Sequence, residues 1–252
     1  MEKYDVILPS GGKIDDHFAR VALTPYKALI KVQDYMVGFK VLEAVNDSGR
    51  LNKVVLVAPK EVQDAFSIRI PNKLNDTGDL TKNISMAIRD LKASGDCSSR
   101  VAIITTDLPY IEGKNIQAFL DACRDDADIC VPLISKDEYL DRFPSATGTF
   151  VKLRDGEWTL GCIYLIKPDV FLKIMPEVEK VVANRKSKMK MAKLLGAGFL
   201  WKVLTKSITS DDVVRKVETI LGCRVGLVKG GPAEFAYDID DIVDYEYALR
   251  NK

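Results

Sequence analysis

Val6-Ile7-Leu8-Pro9-Ser10-Gly11-Gly12-Lys13 sets a short apolar strand directly against a turn with two consecutive glycines. Apolar residues at helical spacing then run through Gly38-Phe39-Lys40-Val41-Leu42-Glu43-Ala44-Val45, and a second β-branched run arrives at Lys53-Val54-Val55-Leu56-Val57. Strand, helix and strand in this order make a βαβ unit. The rhythm continues with a helix near Leu80 to Leu91, the strand Val101-Ala102-Ile103-Ile104-Thr105, a helix near Asn115 to Cys123 and the strand Asp128 to Leu133. Such alternation predicts a Rossmann-like three-layer α/β/α fold with a mostly parallel sheet, whose ligands sit at the carboxyl ends of the strands.

The second half changes character. Thr149 to Leu153 and Thr159 to Ile166 read as two strands around the turn Arg154-Asp155-Gly156-Glu157, a small antiparallel excursion framing the substrate side. From Pro168 to Leu221 the pattern is mostly helical, with breaks at Gly196 and Gly198, and the stretch from about 178 to 221 is expected to be a helical insertion. Arg224 to Val228 returns as a strand before a last helix, Ile242 to Leu249. With no internal repeat and no low-complexity linker, residues 1–252 are expected to form one domain.

Composition narrows the chemistry. The 37 basic and 36 acidic residues leave a formal charge of +1, so no global field recruits nucleic acid or a membrane surface, and neither is expected as a partner. Tyr4 and Asp5 lead straight into a strand, without the pattern of a secretory signal, and no stretch approaches the roughly 20 apolar residues of a membrane span; the cytoplasm is the expected location. The five cysteines are odd in number and lack CxxC spacing, which reads as reduced packing residues. A single histidine, His17, argues against a His-based metal cluster or a His-centred dyad. The chemistry then falls to Asp, Glu, Lys, Arg and backbone amides, the groups of metal-assisted phosphoryl and nucleotidyl transfer.

Several residues stand out on that menu. Gly11 and Gly12 let backbone amides approach an anion without a Cβ in the way, although Pro9-Ser10-Gly11-Gly12 matches neither the P-loop nor the dinucleotide fingerprint. Lys27 lies immediately before a short apolar segment and the first long helix. Asp107 ends an apolar strand and precedes Leu108-Pro109, placing a carboxylate where a hard cation facing phosphates needs one; the competing reading is a cap for a helix beginning near Gly113. Near the carboxyl end, Asp238-Ile239-Asp240-Asp241-Ile242-Val243-Asp244 carries several carboxylates, one of them a helix N-cap with Asp244 near the third helical position. The basic run Arg185 to Lys190 reads as a solvated face, and Trp158 and Trp201 as packing residues.

Together these elements resemble the MobA-like nucleotidyltransferases, a branch of the sugar-phosphate and cofactor nucleotidyltransferases. The resemblance is carried by the glycine loop, by Lys27-Ala28-Leu29-Ile30-Lys31-Val32, by Asp107-Leu108-Pro109 and by Phe235 to Tyr245, and it covers residues 1–175 and 222–252. It implies the nucleotide-diphospho-sugar transferase fold and transfer of a nucleoside monophosphate from an NTP to a small phosphorylated acceptor, with release of pyrophosphate. It also implies that Gly11 and Gly12, with Pro9 and Ser10, wrap the triphosphate and that Lys27 stabilises its charge. Asp107 and Asp240, with Asp238 as the second choice for the latter, would hold Mg2+, Mn2+ being the alternative.

The sequence departs from the family in places. A GxGxR-type run is missing after the strand, leaving Lys13 or Arg20 to supply the charge; Asn83 falls where relatives touch base or ribose; Gly161-Cys162 replaces Gly-Asn on the acceptor side. Two other readings stand beside this one: a nucleotide-sugar-dependent glycosyltransferase, which would carry D-x-D where this chain has Asp107-Leu108-Pro109, and a non-catalytic nucleotide-binding protein. Base, acceptor and oligomeric state stay open.

Overall fold

The computed structural model describes residues 2–184 and 195–251, so the basic run Arg185 to Lys190 lies outside the described residues. Strand β1 (Tyr4–Pro9) is buried along its whole length because it pairs in parallel on both sides, with β4 (Leu51–Ala58) and β6 (Val101–Ile104). Strand β5 (Asn72–Asn75) adds in parallel to the outer edge of β4. On the other side β6 meets β10 (Ile163–Ile166) antiparallel, and β10 meets β7 (Ile129–Ser135) antiparallel; β7 in turn pairs in parallel with β11 (Val225–Lys229). With β9 (Gly156–Leu160) and β8 (Val151–Leu153) continuing the antiparallel part, the described residues form a nine-stranded mixed sheet.

Strand periodicity sorts the core into two halves. Val6, Leu8, Leu56, Ala102 and Ile104 face one cluster, while Ile7, Val55, Val57, Val101 and Ile103 face the other. On the first face lie α2 (Val37–Asp47), α5 (Gly113–Ala122), α6 (Lys136–Arg142) and α10 (Ile242–Arg250); on the second lie α4 (Leu80–Ala93) and α7 (Pro168–Asn184). Helix α4 shows the rule at its simplest: Asp79 caps it by accepting from the amides of Thr81 and Lys82 (2.9 and 3.1 Å), and Ile84, Ala87, Ile88 and Leu91 form the buried stripe. The α/β/α sandwich with an antiparallel excursion is the architecture expected from the alternation of strands and helices.

Four local expectations change. The strand expected from Thr159 to Ile166 begins earlier, at Gly156, and breaks at Gly161-Cys162. Leu160 pairs with Leu133 and Leu165 with Cys130, so the four residues 161–164 face only Val131 and Pro132 on β7. An added Cβ at Gly161 would come within 2.7 Å of Phe235 and 2.8 Å of Pro132, which is why the break carries glycine. Of the two expected helix breaks, Gly196 has a left-handed φ of 81°, but Gly198 lies inside α8 (Ala197–Leu204), which precedes α9 (Ser210–Leu221). Trp201 is 68% exposed on α8 and is not a packing residue. Finally, polar Asn72 to Asn75 forms an edge strand that sequence periodicity did not suggest.

The segment between β1 and α2 matters most for the site. It holds α1 (Asp16–Ala22), a 3-10 turn at Lys27–Leu29, and a hairpin of β2 (Lys31–Val32) and β3 (Tyr35–Met36). Helix α2 lies against that 3-10 turn because Gly38 has no side chain: a Cβ there would stand 2.7 Å from the carbonyl oxygen of Ala28 and 2.8 Å from the Phe66 ring. Gly38→Ala is therefore expected to destabilise the protein by roughly 1–3 kcal/mol through overpacking, despite alanine's better helix propensity. A urea denaturation midpoint equal to or above that of the unmodified protein would contradict this packing.

Candidate active site

Parallel pairing brings the carboxyl ends of β1, β4, β5 and β6 to one edge of the sheet, and the strand order reverses direction between β1, whose next sheet strand is β4 on one side, and β6, which leads toward β7 on the other. A cavity of ≈ 270 Å³ opens there. Its walls include Pro9, Gly11 and Gly12 after β1, Asp76 and Gly78 after β5, Asn83 in the first turns of α4, Thr105, Thr106 and Asp107 after β6, and Lys27.

The glycine loop is pinned at both ends. Ser10 donates its amide to Val57 O (2.8 Å), the Lys27 amide donates to Gly12 O (3.0 Å), and the Ile14 amide donates to Pro25 O (3.0 Å). Between these anchors the amides of Gly11 and Gly12 donate to no other group among the described residues. Two open N–H groups at a strand end suit an anion. Gly11 is also required sterically, since a Cβ there would lie 2.6 Å from the Asp76 carboxylate.

Lys27 emerges from the 3-10 turn with its aliphatic stem beside Gly12 and its ammonium among carboxylates. Nζ donates to Asp107 Oδ2 (3.1 Å) and to Asp240 Oδ1. Burial opposes the charged form of Lys27, but the Asp107 charge and the bond to Asp240 outweigh it and hold the ammonium's pKa above its ordinary value. Asp107, Asp238 and Asp240 each offer an oxygen to a common space, these atoms lying within 4.8 Å of one another. Asp107 Oδ1 is buried and accepts no hydrogen bond among the described residues. An unpartnered carboxylate oxygen in an all-oxygen cluster fits a hard divalent cation such as Mg2+ or Mn2+, with the remaining positions taken by phosphate oxygens and water. The cap of α5 is Glu112 rather than Asp107, which leaves Asp107 available for this role.

Backbone bonds bring the acidic residues together: the Ile239 amide donates to Asp107 O (3.1 Å), tying the segment before α10 to the end of β6. Asp241 is the N-cap of α10 and forms a capping box with Asp244, whose Oδ2 also accepts from the amide of Asp240 (3.1 Å).

The other expected residues fall at graded distances from this centre. Ser10 is buried, its hydroxyl donating to Leu8 O (3.2 Å), and it holds the loop from beneath. Lys13 bridges to Tyr26 and lays its ammonium over that ring, 5.4 Å from the centroid. Arg20 is exposed in the last turn of α1, and neither Lys13 nor Arg20 lines the cavity among the described residues. Asn83 lines it, but its amide is committed internally: Nδ2 donates to Asp76, and Oδ1 accepts from the Thr77 amide (2.9 Å) and hydroxyl (2.8 Å). Gly161 sits outside this cavity, beside the end of β6, where the Thr105 amide donates to Cys162 O (3.2 Å). Asp76, Thr105 and Thr106 were not singled out by sequence; the turn residues Asp76-Thr77-Gly78-Asp79 after a short polar run were the available signal.

No protein-family model and no curated protein matches the chain; the likeness is to solved structures. A hypothetical transferase from Thermus thermophilus superposes with a TM-score of 0.84 at 26% identity, over 96% of this chain and 99% of that one. A nucleotidyl transferase from Methanothermobacter thermautotrophicus has a TM-score of 0.57 at 15% identity over 100% of both chains. The chain has the nucleotidyltransferase fold. A third similar structure, the 2-C-methyl-D-erythritol 4-phosphate cytidylyltransferase from Thermus thermophilus, gives 0.53 at 14% identity over 99% of this chain and 98% of that one.

Asp238 belongs to the acidic cluster and is half-buried. Burial, and then the charges of Asp107 and Asp240, push its carboxyl up to about 7 against the pull of Lys27. Between pH ~4 and ~7 the folded protein holds a proton that the unfolded chain has released, so this stabilisation is full below about pH 4 and is lost as pH rises to about 7. Asp238→Asn removes that dependence. Without divalent cations, its unfolding free energy is expected to gain on the unmodified protein across this window by at most about 1.4 kcal/mol per pH unit, then run level. Parallel stability curves for the two proteins would exclude the assignment.

Proposed function

We propose that this protein is a metal-dependent nucleotidyltransferase of the MobA-like kind, which moves a nucleoside monophosphate from an NTP to a small phosphorylated acceptor and releases pyrophosphate. The observation that carries the reading is the convergence of Lys27, Asp107, Asp238 and Asp240 beside a glycine loop with open amides. The likeness to a nucleotidyl transfer enzyme and to a cytidylyltransferase whose name specifies a phosphorylated acceptor supports the same class. Among the described residues no helix is long and apolar enough to cross a membrane.

In this reading the amides of Gly11 and Gly12 hold phosphate oxygens, and Lys27 offsets the charge that builds on them as pyrophosphate departs. Asp107 with Asp240 and Asp238 would hold Mg2+ or Mn2+, which supplies charge neutralisation at the phosphates when bound. An acceptor phosphate oxygen attacks the α-phosphorus in line; one P–O bond forms as the bond to pyrophosphate breaks, and the electron pair leaves with pyrophosphate. An acceptor phosphate is already ionised near neutral pH, so no general base is needed and the single histidine, exposed His17, has no part in the step.

The test is pyrophosphate release from each of the four NTPs with Mg2+ and a panel of phosphorylated acceptors, run beside Asp107→Ala and Lys27→Ala. Release that requires NTP, metal and acceptor is expected, with each substitution lowering kcat by on the order of 100-fold or more. NTP binding without release under any combination would favour a non-catalytic nucleotide-binding protein.

A further inference from the structure

Two of the three carboxylates that suit a divalent cation are ones Lys27 already engages, although Asp107 Oδ1 stays unpartnered. Its ammonium bridges Asp107 Oδ2 and Asp240 Oδ1, two members of the three-carboxylate cluster. Lys27 is also well enclosed, its side chain 15% exposed and that of Asp107 13%. Two cationic centres drawn to the same pair of carboxylates repel one another, and solvent screens the repulsion less on the enclosed Asp107 side than at Asp240, whose side chain is 67% exposed.

The backbone of Lys27 is fixed through its amide bond to Gly12 O (3.0 Å), whereas its stem runs alongside Gly12 with only van der Waals contact: Cδ lies 3.3 Å from where a Cβ on Gly12 would stand. The ammonium therefore has two anionic destinations within reach of one pivot. One is the carboxylate pair; the other is whatever anion the open amides of Gly11 and Gly12 hold.

We propose that Lys27 is a displaceable counter-ion that competes with the divalent cation for Asp107 and Asp240, so that a bound triphosphate, by drawing the ammonium toward its own oxygens, opens the carboxylates to the metal. This rests on the nucleotidyl transfer reading of the site. Its consequence is coupling: metal binds weakly to the free protein and tightly once a triphosphate is in place, and part of that gain comes from moving Lys27 rather than from new phosphate ligands. The two anions exchange one lysine, and the site avoids collecting a metal that lacks its nucleotide.

The experiment is a Mn2+ titration of the full chain at fixed pH, following the free-ion electron paramagnetic resonance signal, with and without a non-hydrolysable α,β-methylene NTP. Unmodified protein, Lys27→Met and Lys27→Arg are compared, with circular dichroism as the check that each is folded. Without nucleotide, Lys27→Met is expected to bind Mn2+ at least tenfold more tightly than the unmodified protein, and Lys27→Arg to stay weak because it keeps the charge. The analogue should then strengthen Mn2+ binding less in Lys27→Met than in the unmodified protein. Equal or weaker nucleotide-free binding by folded Lys27→Met would overturn the competition while leaving nucleotidyl transfer intact. Absence of Mn2+ binding in all three proteins, even with the analogue, would remove the metal site and the proposed function together.

Discussion

Three carboxylates with oxygens within 4.8 Å of one another repel, and the site exists because the fold holds them there with one ammonium as the compensating charge. The cost appears at Asp238, which is pushed toward its neutral form by burial and by its two neighbours. Hydrogen bonds from backbone amides do the holding. The Ile239 amide reaches the Asp107 carbonyl, and the Asp244 carboxylate gathers the amides of Asp240 and Asp241 (3.1 and 3.3 Å) at the start of α10. The capping box thus sets the direction of the last helix and also fixes the backbone that carries two of the carboxylates.

Close approach of backbone to backbone serves the same end on the opposite wall. Lys27 is presented by a 3-10 turn that α2 can pack against only because Gly38 lacks a side chain, while the loop facing it needs Gly11 to clear Asp76. These contacts stabilise the fold and fix the position of the functional groups at once. Repulsive groups at a strand edge are what a functional site imposes on stability, and here the compensation lies in tight packing one layer away.

The sheet was legible because its central strands are apolar and rich in β-branched residues and its buried helices carry apolar stripes; Val6 to Leu8, Val101 to Ile104 and Ile84 to Leu91 each announce their element. Elements that solve a local problem were not. The β2–β3 hairpin turns through Gln33 and Asp34, both at positive φ (52° and 65°), without the Asn-Gly that would have marked it. Strand β5 is polar because it closes the parallel edge of the sheet, and so it hides the short run leading to Asp76. Asp107, Asp238, Asp240 and Lys27 could be read from their motifs and do meet in space. Asn83 was read by position alone, and its internal bonds make it a support for the Asp76 turn, a distinction that one-dimensional spacing does not contain.

Charge placement shows how this site differs from one with several fixed cations. Lys13 engages the Tyr26 ring and Arg20 lies in solvent on α1, so among the described residues Lys27 is the cationic side chain in the cavity wall, facing Asp76 and Asp107. One ammonium does not balance three carboxylates, and it balances a bound triphosphate still less. In the proposed reading, open amides and a divalent cation would therefore share the charge with Lys27. A loop with more basic residues would attract phosphates by itself; in the proposed reading this one would rely instead on the unbonded amides of Gly11 and Gly12 at the cavity wall and on one lysine beside the carboxylates.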